Sequence, residues 1–271
     1  MTTYEKLRQA PLAEVRRAIR HNAYQGHTAG LAAGYLQVNL AIMAQSHALD
    51  FFRFCQRNPK PCPLVGVTDT GSKRFHTLGA DLAADTDAPA YAVYKHGELQ
   101  GYQADIREIW QEDFVAFALG CSFTFEHALI EAGIAMRHVD CNKTVPMFRS
   151  SLNTVPAGPF GGEMVVSMRP IKPKDVERVR KLSEDFPLAH GAPVHIGDPS
   201  EIGISDLSHP DWGDGVPIEE GEVPMFWACG VTPQNAAIGA KLPLFISHRP
   251  GAMLITDVDE RANPPILDPL T

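Results

Sequence analysis

The spacing of apolar residues changes several times along this chain, and each change marks an element. Between Pro11 and Asn22, Leu12, Val15 and Ile19 recur at helical spacing and predict an amphipathic helix. Val38 to Met43 reads as a strand, and Ser46 to Arg57 as a helix with Ser46 as its cap. Asn58-Pro-Lys-Pro-Cys-Pro63 is a rigid turn, and Leu64 to Val67 then predicts a short buried strand ending at Thr68-Asp69. Tyr91 to Tyr94 and Glu98 to Gln103 flank His96-Gly97 as a hairpin. Ile106 to Leu119 reads as helical, and Phe123 to Ala132 as a second helix after Gly120-Cys-Ser122. The Pro- and Gly-containing stretch from Asn142 to Gly162 reads as a structured loop. Met164 to Met168 predicts a strand that runs through Arg169-Pro170 into a helix over Pro173 to Phe186, with Val176, Val179 and Leu182 on one face. Pro187 to Glu222 is a long Gly-, Pro- and Asp-rich loop, which the interleaved Ile202, Ile204, Leu207 and Trp212 favour as ordered. Met225 to Ala228 then predicts a buried strand, Cys229-Gly230 a turn, and Thr232 the N-cap of a helix with Pro233 as its first residue. Ala252 to Thr256 is a last strand ending at Asp257, and Asn263 to Thr271 reads as a loose tail.

Alternating strands and helices argue for an α/β fold. The placement of the Pro/Gly-rich segments and the separate piece from Met164 to Phe186 divide it in two. Residues 111–186 are expected as a smaller inserted α/β domain, and residues 1–110 and 187–271 as a larger α/β domain. On that division Leu64–Val67 and Met225–Ala228 share one sheet.

Charge and cysteine content narrow the function. The net charge is −8, from 24 basic and 32 acidic residues among 271, which argues against a nucleic-acid surface. No apolar stretch approaches the roughly 20 residues a membrane helix needs, and the first residues lack the apolar core of a signal peptide. Cys55, Cys62, Cys121, Cys141 and Cys229 are odd in number and lack C-x-x-C spacing, so free thiols in a reducing cytoplasm are expected. Nothing in the pattern decides between a monomer and a homo-oligomer.

Five stretches carry candidate chemistry: Cys121-Ser122 with Glu126, Arg149 to Asn153, His195 with Asp198, Cys229 with Thr232 and Gln234, and His248. Each has a plain alternative, as a buried thiol, a solvated carboxylate, a surface cation or a turn-fixing pair. The turn after Cys229 is the one that would present helix N-terminal N–H groups to an anion. The loop Gly26 to Gly34 has three glycines but lacks both nucleotide-phosphate patterns, and Gly-Cys-Ser122 lacks the last glycine of a nucleophile elbow. Asp206, His209, Asp211 and Asp214 could ligate a metal by type, but their spacing matches no metal motif.

Four of these segments together carry a resemblance. Gly120-Cys-Ser-Phe-Thr-Phe-Glu126, Pro156-Ala-Gly-Pro-Phe-Gly-Gly162 with Met164-Val-Val-Ser-Met-Arg-Pro170, His195-Ile-Gly-Asp-Pro199, and Phe226-Trp-Ala-Cys-Gly-Val-Thr-Pro-Gln234 look like a bacterial hydro-lyase family related to mitochondrial D-glutamate cyclase. The resemblance runs from about residue 10 to Asp257, with Ala33 departing from an expected proline. It implies a larger three-layer α/β domain with a smaller two-layer α/β domain, and a lyase that removes water, with D-glutamate cyclisation to 5-oxo-D-proline as the related activity. Such a reaction needs a base, an acid and an oxyanion site. His195 and Glu126 are assigned as base and acid, the backbone after Cys229 with Thr232 as the anion site, and Arg149 as the carboxylate partner. Ser122, Asn153, Asp198 and Gln234 complete the expected substrate contacts. A small carboxylic acid is the expected partner, and neither metal nor organic cofactor is required. Two rivals remain: a racemase or epimerase using Cys121 and Cys229 on opposite faces of its substrate, and a binding protein without turnover.

Overall fold

The structure is a computed structural model, and it describes residues 2–141 and 143–262. In chain order these form α1 (Thr3–Leu7), α2 (Leu12–Arg20), β1 (Tyr35–Ala44), α3 (Gln45–Arg57), β2 (Leu64–Val67), β3 (Tyr91–Lys95), β4 (Glu98–Gln103), β5 (Phe114–Gly120), α4 (Phe123–Glu131), α5 (Arg137–Asp140), β6 (Met147–Asn153), β7 (Glu163–Ile171), α6 (Val176–Glu184), β8 (His195–Ile196), β9 (Val223–Ala228), α7 (Val231–Gly239), β10 (Phe245–His248) and β11 (Leu254–Asp259). The fold is mixed α/β with two sheets. The larger has seven strands in the order β2-β5-β1-β10-β3-β4, with β11 also pairing β1, and the smaller has four in the order β6-β7-β9-β8. Neighbours within both sheets run antiparallel.

Strand β5 shows why a sequence pattern can mislead here. All seven of its residues are buried. Phe114, Ala116 and Ala118 face one core with Phe75, Leu78 and Leu82. Val115, Phe117 and Leu119 face another, with Phe51 and Phe54 of α3 and Ala236 and Ala237 of α7. A strand covered on both faces reads as an unbroken apolar run, which periodicity cannot tell from a helix. The expected helix over Ile106 to Leu119 is therefore corrected to a short 3-10 turn at Arg107–Ile109 followed by β5. The expected loop from Asn142 to Gly162 likewise contains β6, and Asn142 itself lies outside the described residues. Ser46 lies inside α3, whose N-cap is Ala44 without a side-chain bond. The tail from Asn263 lies outside the described residues.

The expected sharing of one sheet by Leu64–Val67 and Met225–Ala228 is overturned. The former is β2 of the larger sheet, and the latter belongs to β9 of the smaller. The chain crosses between the sheets twice. Helix α4 follows β5 of the larger sheet, yet its Phe125 and Leu129 pack with Met225 and Trp227 of the smaller one. Helix α7 follows β9 of the smaller sheet, yet its Ala236 and Ala237 pack against the larger one. The two crossing turns are Cys121-Ser122 and Cys229-Gly230.

Candidate functional site

Each crossing turn places a cysteine just before the first turn of a nine-residue helix. Both cysteines line one small pocket with Asn39, Ser122, His248 and Met253. The backbone N–H of Phe123 lowers the Cys121 thiol pKa, and those of Val231 and Gly230 lower that of Cys229. Burial still dominates: it pushes the Cys121 thiol up to about 12 and the Cys229 thiol up to about 11. Both are therefore protonated at neutral pH.

The backbone leaves no latitude at either turn. A Cβ on Gly120 would lie 1.6 Å from the Leu188 carbonyl oxygen, and one on Gly230 would lie 2.2 Å from Asn39 Nδ2. Asn39, on β1, donates to the Leu119 oxygen at 3.3 Å and to the Gly120 oxygen at 2.9 Å. It thus ties the end of β5 while packing against the second turn. Thr232 is inside α7, not at its N-cap, which is Gly230. Its hydroxyl has different work. Thr232 Oγ1 accepts from the Val165 N–H at 3.0 Å and donates to the Val165 oxygen at 3.1 Å, fastening α7 to β7.

His248 is buried at the end of β10, and burial drops its pKa to about 4. Its Nδ1 accepts the Leu40 N–H at 3.1 Å, which leaves the neutral ring's proton on Nε2. The Gln234 amide nitrogen lies 3.0 Å from the same Nδ1. Neutral His248 thus lies in the pocket wall with its proton on Nε2, and the Gln234 amide nitrogen is also 3.4 Å from that Nε2.

Beside the Cys121 turn lies a buried ionic cluster. Arg169 on β7 donates through Nε to Glu126 Oε1 at 2.9 Å and also bonds that oxygen through Nη2. It reaches Ser167 Oγ through Nη1 at 2.9 Å and Ser122 Oγ through Nη2 at 3.0 Å. Its guanidinium sits 5.2 Å from the ring centroids of both Phe125 and Trp227. His138 Nε2 lies 3.2 Å from Glu126 Oε2. Burial alone would raise the Glu126 pKa, but His138 and Arg169 outweigh it and hold the carboxyl at about 2. Glu126 is an ionised partner of Arg169, with no proton to give at neutral pH.

His195 lies on the opposite face of the smaller sheet from this cluster. It pairs with Phe226 and its ring is 5.7 Å from the Phe226 ring, in a core that contains Val166, Met168 and Ile202. Arg169 pairs with Met225, which faces the core containing Trp227 and Phe125. The expected base and acid are thus separated by the sheet. His195 Nε2 is 2.7 Å from the Asp198 carbonyl oxygen, and the Asp198 carboxylate accepts the Ser200 N–H at 2.9 Å, so the pair shapes a turn. Arg149 is half-exposed, 3.5 Å from Asp211 Oδ1 and 4.9 Å from the Trp212 ring centroid, and it does not line the pocket. Asn153 is exposed at the end of β6. Asp206 bonds Ser208 and His209, and Asp214 accepts the Thr144 N–H. No group of three or more potential metal ligands occurs among the described residues. Sequence reasoning missed Arg169 and Asn39. Each is a buried polar residue in a mostly apolar strand.

Comparison with known proteins places the chain in a family. Residues 115–257, which span β5 through most of β11, match the family model described as D-glutamate cyclase. The chain belongs to this family. A relative from Dinoroseobacter shibae is 61% identical over 98% of this chain and 89% of its own, and one from Ruegeria pomeroyi is 60% identical over 98% and 96%. A third, from Rubrobacter xylanophilus, is 55% identical over 90% and 95%. All three carry the name "Putative hydro-lyase". A solved structure of a nitrogen repressor-like protein from Methanococcus jannaschii covers 89% of this chain and 96% of its own at 10% identity, but its TM-score of 0.39 is too low to carry an argument.

Proposed function

We propose that this chain is a cytoplasmic hydro-lyase acting on a small amino or hydroxy acid, with cyclisation of D-glutamate to 5-oxo-D-proline as its reaction. The observation that carries the reading is the convergence of two strand–cysteine–helix turns on one small pocket. Membership of the D-glutamate cyclase family and the names of the relatives support it. The free state of all five cysteines fits a reducing compartment, and no helix among the described residues is long and apolar enough to cross a membrane.

In this scheme the uncharged amine of the substrate attacks the carbon of the γ-carboxyl group, which enters protonated. The carbon–nitrogen bond forms, and the oxyanion that develops is met by helix N-terminal N–H groups and the Nε2–H of His248. One thiol gives its proton to the departing oxygen, the carbon–oxygen bond breaks and water leaves. The thiolate, stabilised by the one or two backbone N–H groups of its turn, then takes the proton released from nitrogen. One proton moves from nitrogen to oxygen, and the thiol is restored. His195 and Glu126 have no part in these steps, and Arg149 does not bind the carboxylate.

The test is incubation with D-glutamate and chiral analysis of the product. Parent protein should form 5-oxo-D-proline, and Cys121→Ser or Cys229→Ser should lower kcat by roughly 10²–10⁴-fold. Absence of product from the parent, or full activity in both variants, overturns the reading. The shared pocket also favours a second reading, in which the two thiols exchange the α-proton of an amino acid. Incorporation of deuterium at Cα without net loss of water would select it.

A further inference from the structure

We infer that Arg169 is a positioning residue that turns the Ser122 hydroxyl into a hydrogen-bond donor for the molecule bound in the two-cysteine pocket. The inference rests on the function proposed above. A guanidinium has five N–H donors and no acceptor. In its bond to Ser122, Arg169 Nη2 therefore gives the proton and Ser122 Oγ accepts it, at 3.0 Å. The Ser122 hydroxyl proton must then point elsewhere. Among the described residues no acceptor takes it, although Ser122 is 95% buried and lines the pocket. A buried hydroxyl with one lone pair engaged and its proton unclaimed is suited to an incoming oxygen of the ligand.

Arg169 is held rigidly enough to impose that direction. Its side chain is 1% exposed, its guanidinium lies 5.2 Å from the ring centroids of both Phe125 and Trp227, and Glu126 and Ser167 accept from its Nε, Nη2 and Nη1. Glu126 lies one turn along α4 from Ser122, so the same cation grips the helix at two points. Lysine offers a point charge without the fork, and it cannot hold both partners in this plane.

The experiment compares parent, Ser122→Ala, Arg169→Lys and the double variant. Folding is checked by circular dichroism and melting temperature. Binding of D-glutamate, L-glutamate, 2-hydroxyglutarate and succinate is measured by calorimetry, and turnover is measured on any that react. Ser122→Ala is expected to fold like the parent and to lower affinity or kcat by 10-fold or more for an acid that the parent accepts. Ser122→Thr, which restores a hydroxyl, should recover most of the loss. Arg169→Lys should lose a similar factor, and the double variant should lose no more than either single one. If the parent binds none of the acids, the proposed function fails and takes this inference with it. If the parent binds or reacts and Ser122→Ala stays within twofold of it, only the positioning role is overturned. Multiplicative losses in the double variant overturn it too. Should Arg169→Lys fail to fold, the Ser122→Ala and Ser122→Thr pair still decides, because a purely structural hydroxyl would move melting temperature and leave affinity unchanged.

Discussion

Replacing Thr232 by valine removes a hydroxyl while keeping shape and volume. The Val165 amide donates to Thr232 Oγ1 at 3.0 Å, and both residues are essentially inaccessible to solvent. The Val165 carbonyl also accepts the Cys229 N–H at 3.0 Å, so it keeps a partner in the variant. The Val165 N–H does not. A buried donor left without an acceptor costs about 1–3 kcal/mol. For a chain of this size that is a fall in melting temperature of roughly 2–12 °C, at about 2–4 °C per kcal/mol. Thr232→Ser keeps both bonds and loses one buried methyl, worth about 0.8 kcal/mol. Serine should therefore be more stable than valine, the reverse of an ordering by hydrophobicity. Thermal melts, together with urea unfolding followed by tryptophan fluorescence, measure both. A valine variant within about 0.5 kcal/mol of the parent, or more stable than the serine variant, would refute the account of α7 as fastened to β7 through this side chain.

Other consequences are open to simple measurement. His190 and His248 are fully buried with pKa values lowered by burial from 6.5 to about 4. The unfolded chain therefore binds more protons between these values, and stability should fall as pH drops from about 6.5 towards 4. His248→Gln keeps an acceptor for the Leu40 N–H and should flatten part of that slope; an unchanged slope contradicts the assignment. Glu126, held at about 2 against an ordinary 4.5, adds stability that is complete above pH 4.5 and disappears as pH falls through 2, so acid unfolding should continue below pH 4. In thiol titration of native protein at pH 8, exposed Cys141 should react first, with Cys121 and Cys229 slow because burial raises their pKa; denatured protein should show five groups. Gly120→Ala should be the most damaging single methyl in the chain, since it collides with the Leu188 carbonyl, whereas Gly239→Ala, with nothing within 4 Å, should be neutral or stabilising.

Legibility in the sequence followed the physics of exposure. The amphipathic α2 and the hairpin of β3 and β4 each have one wet side or a Gly turn, and both were readable. Strand β5 was not, because it is buried on both faces and so has no alternation to read. The two cysteine turns were visible as strand ends followed by helix starts. Their meeting in one pocket was not, because it depends on each helix packing against the other sheet. Arg169 looked like an incidental charge before Pro170. Its partners Glu126 and Ser122 are 43 and 47 positions away, and one sequence holds no record of such pairing. His195 attracted attention through its neighbours Gly197, Asp198 and Pro199, and those residues serve a turn.

Strand β1 has a consequence for how the chain is made. It stands inside the larger sheet, with β5 on one side and β10 and β11 on the other. The first neighbour is translated some seventy residues after it, and the others some two hundred residues after it. Until Phe245 has left the ribosome, the apolar run Leu36 to Met43 has one flank with no hydrogen-bonding partner. Such a flank can pair with any other extended chain it meets. Synthesis rate and chaperone supply should therefore govern soluble yield, and fragments ending before β10 should aggregate although most of the pocket residues are already present.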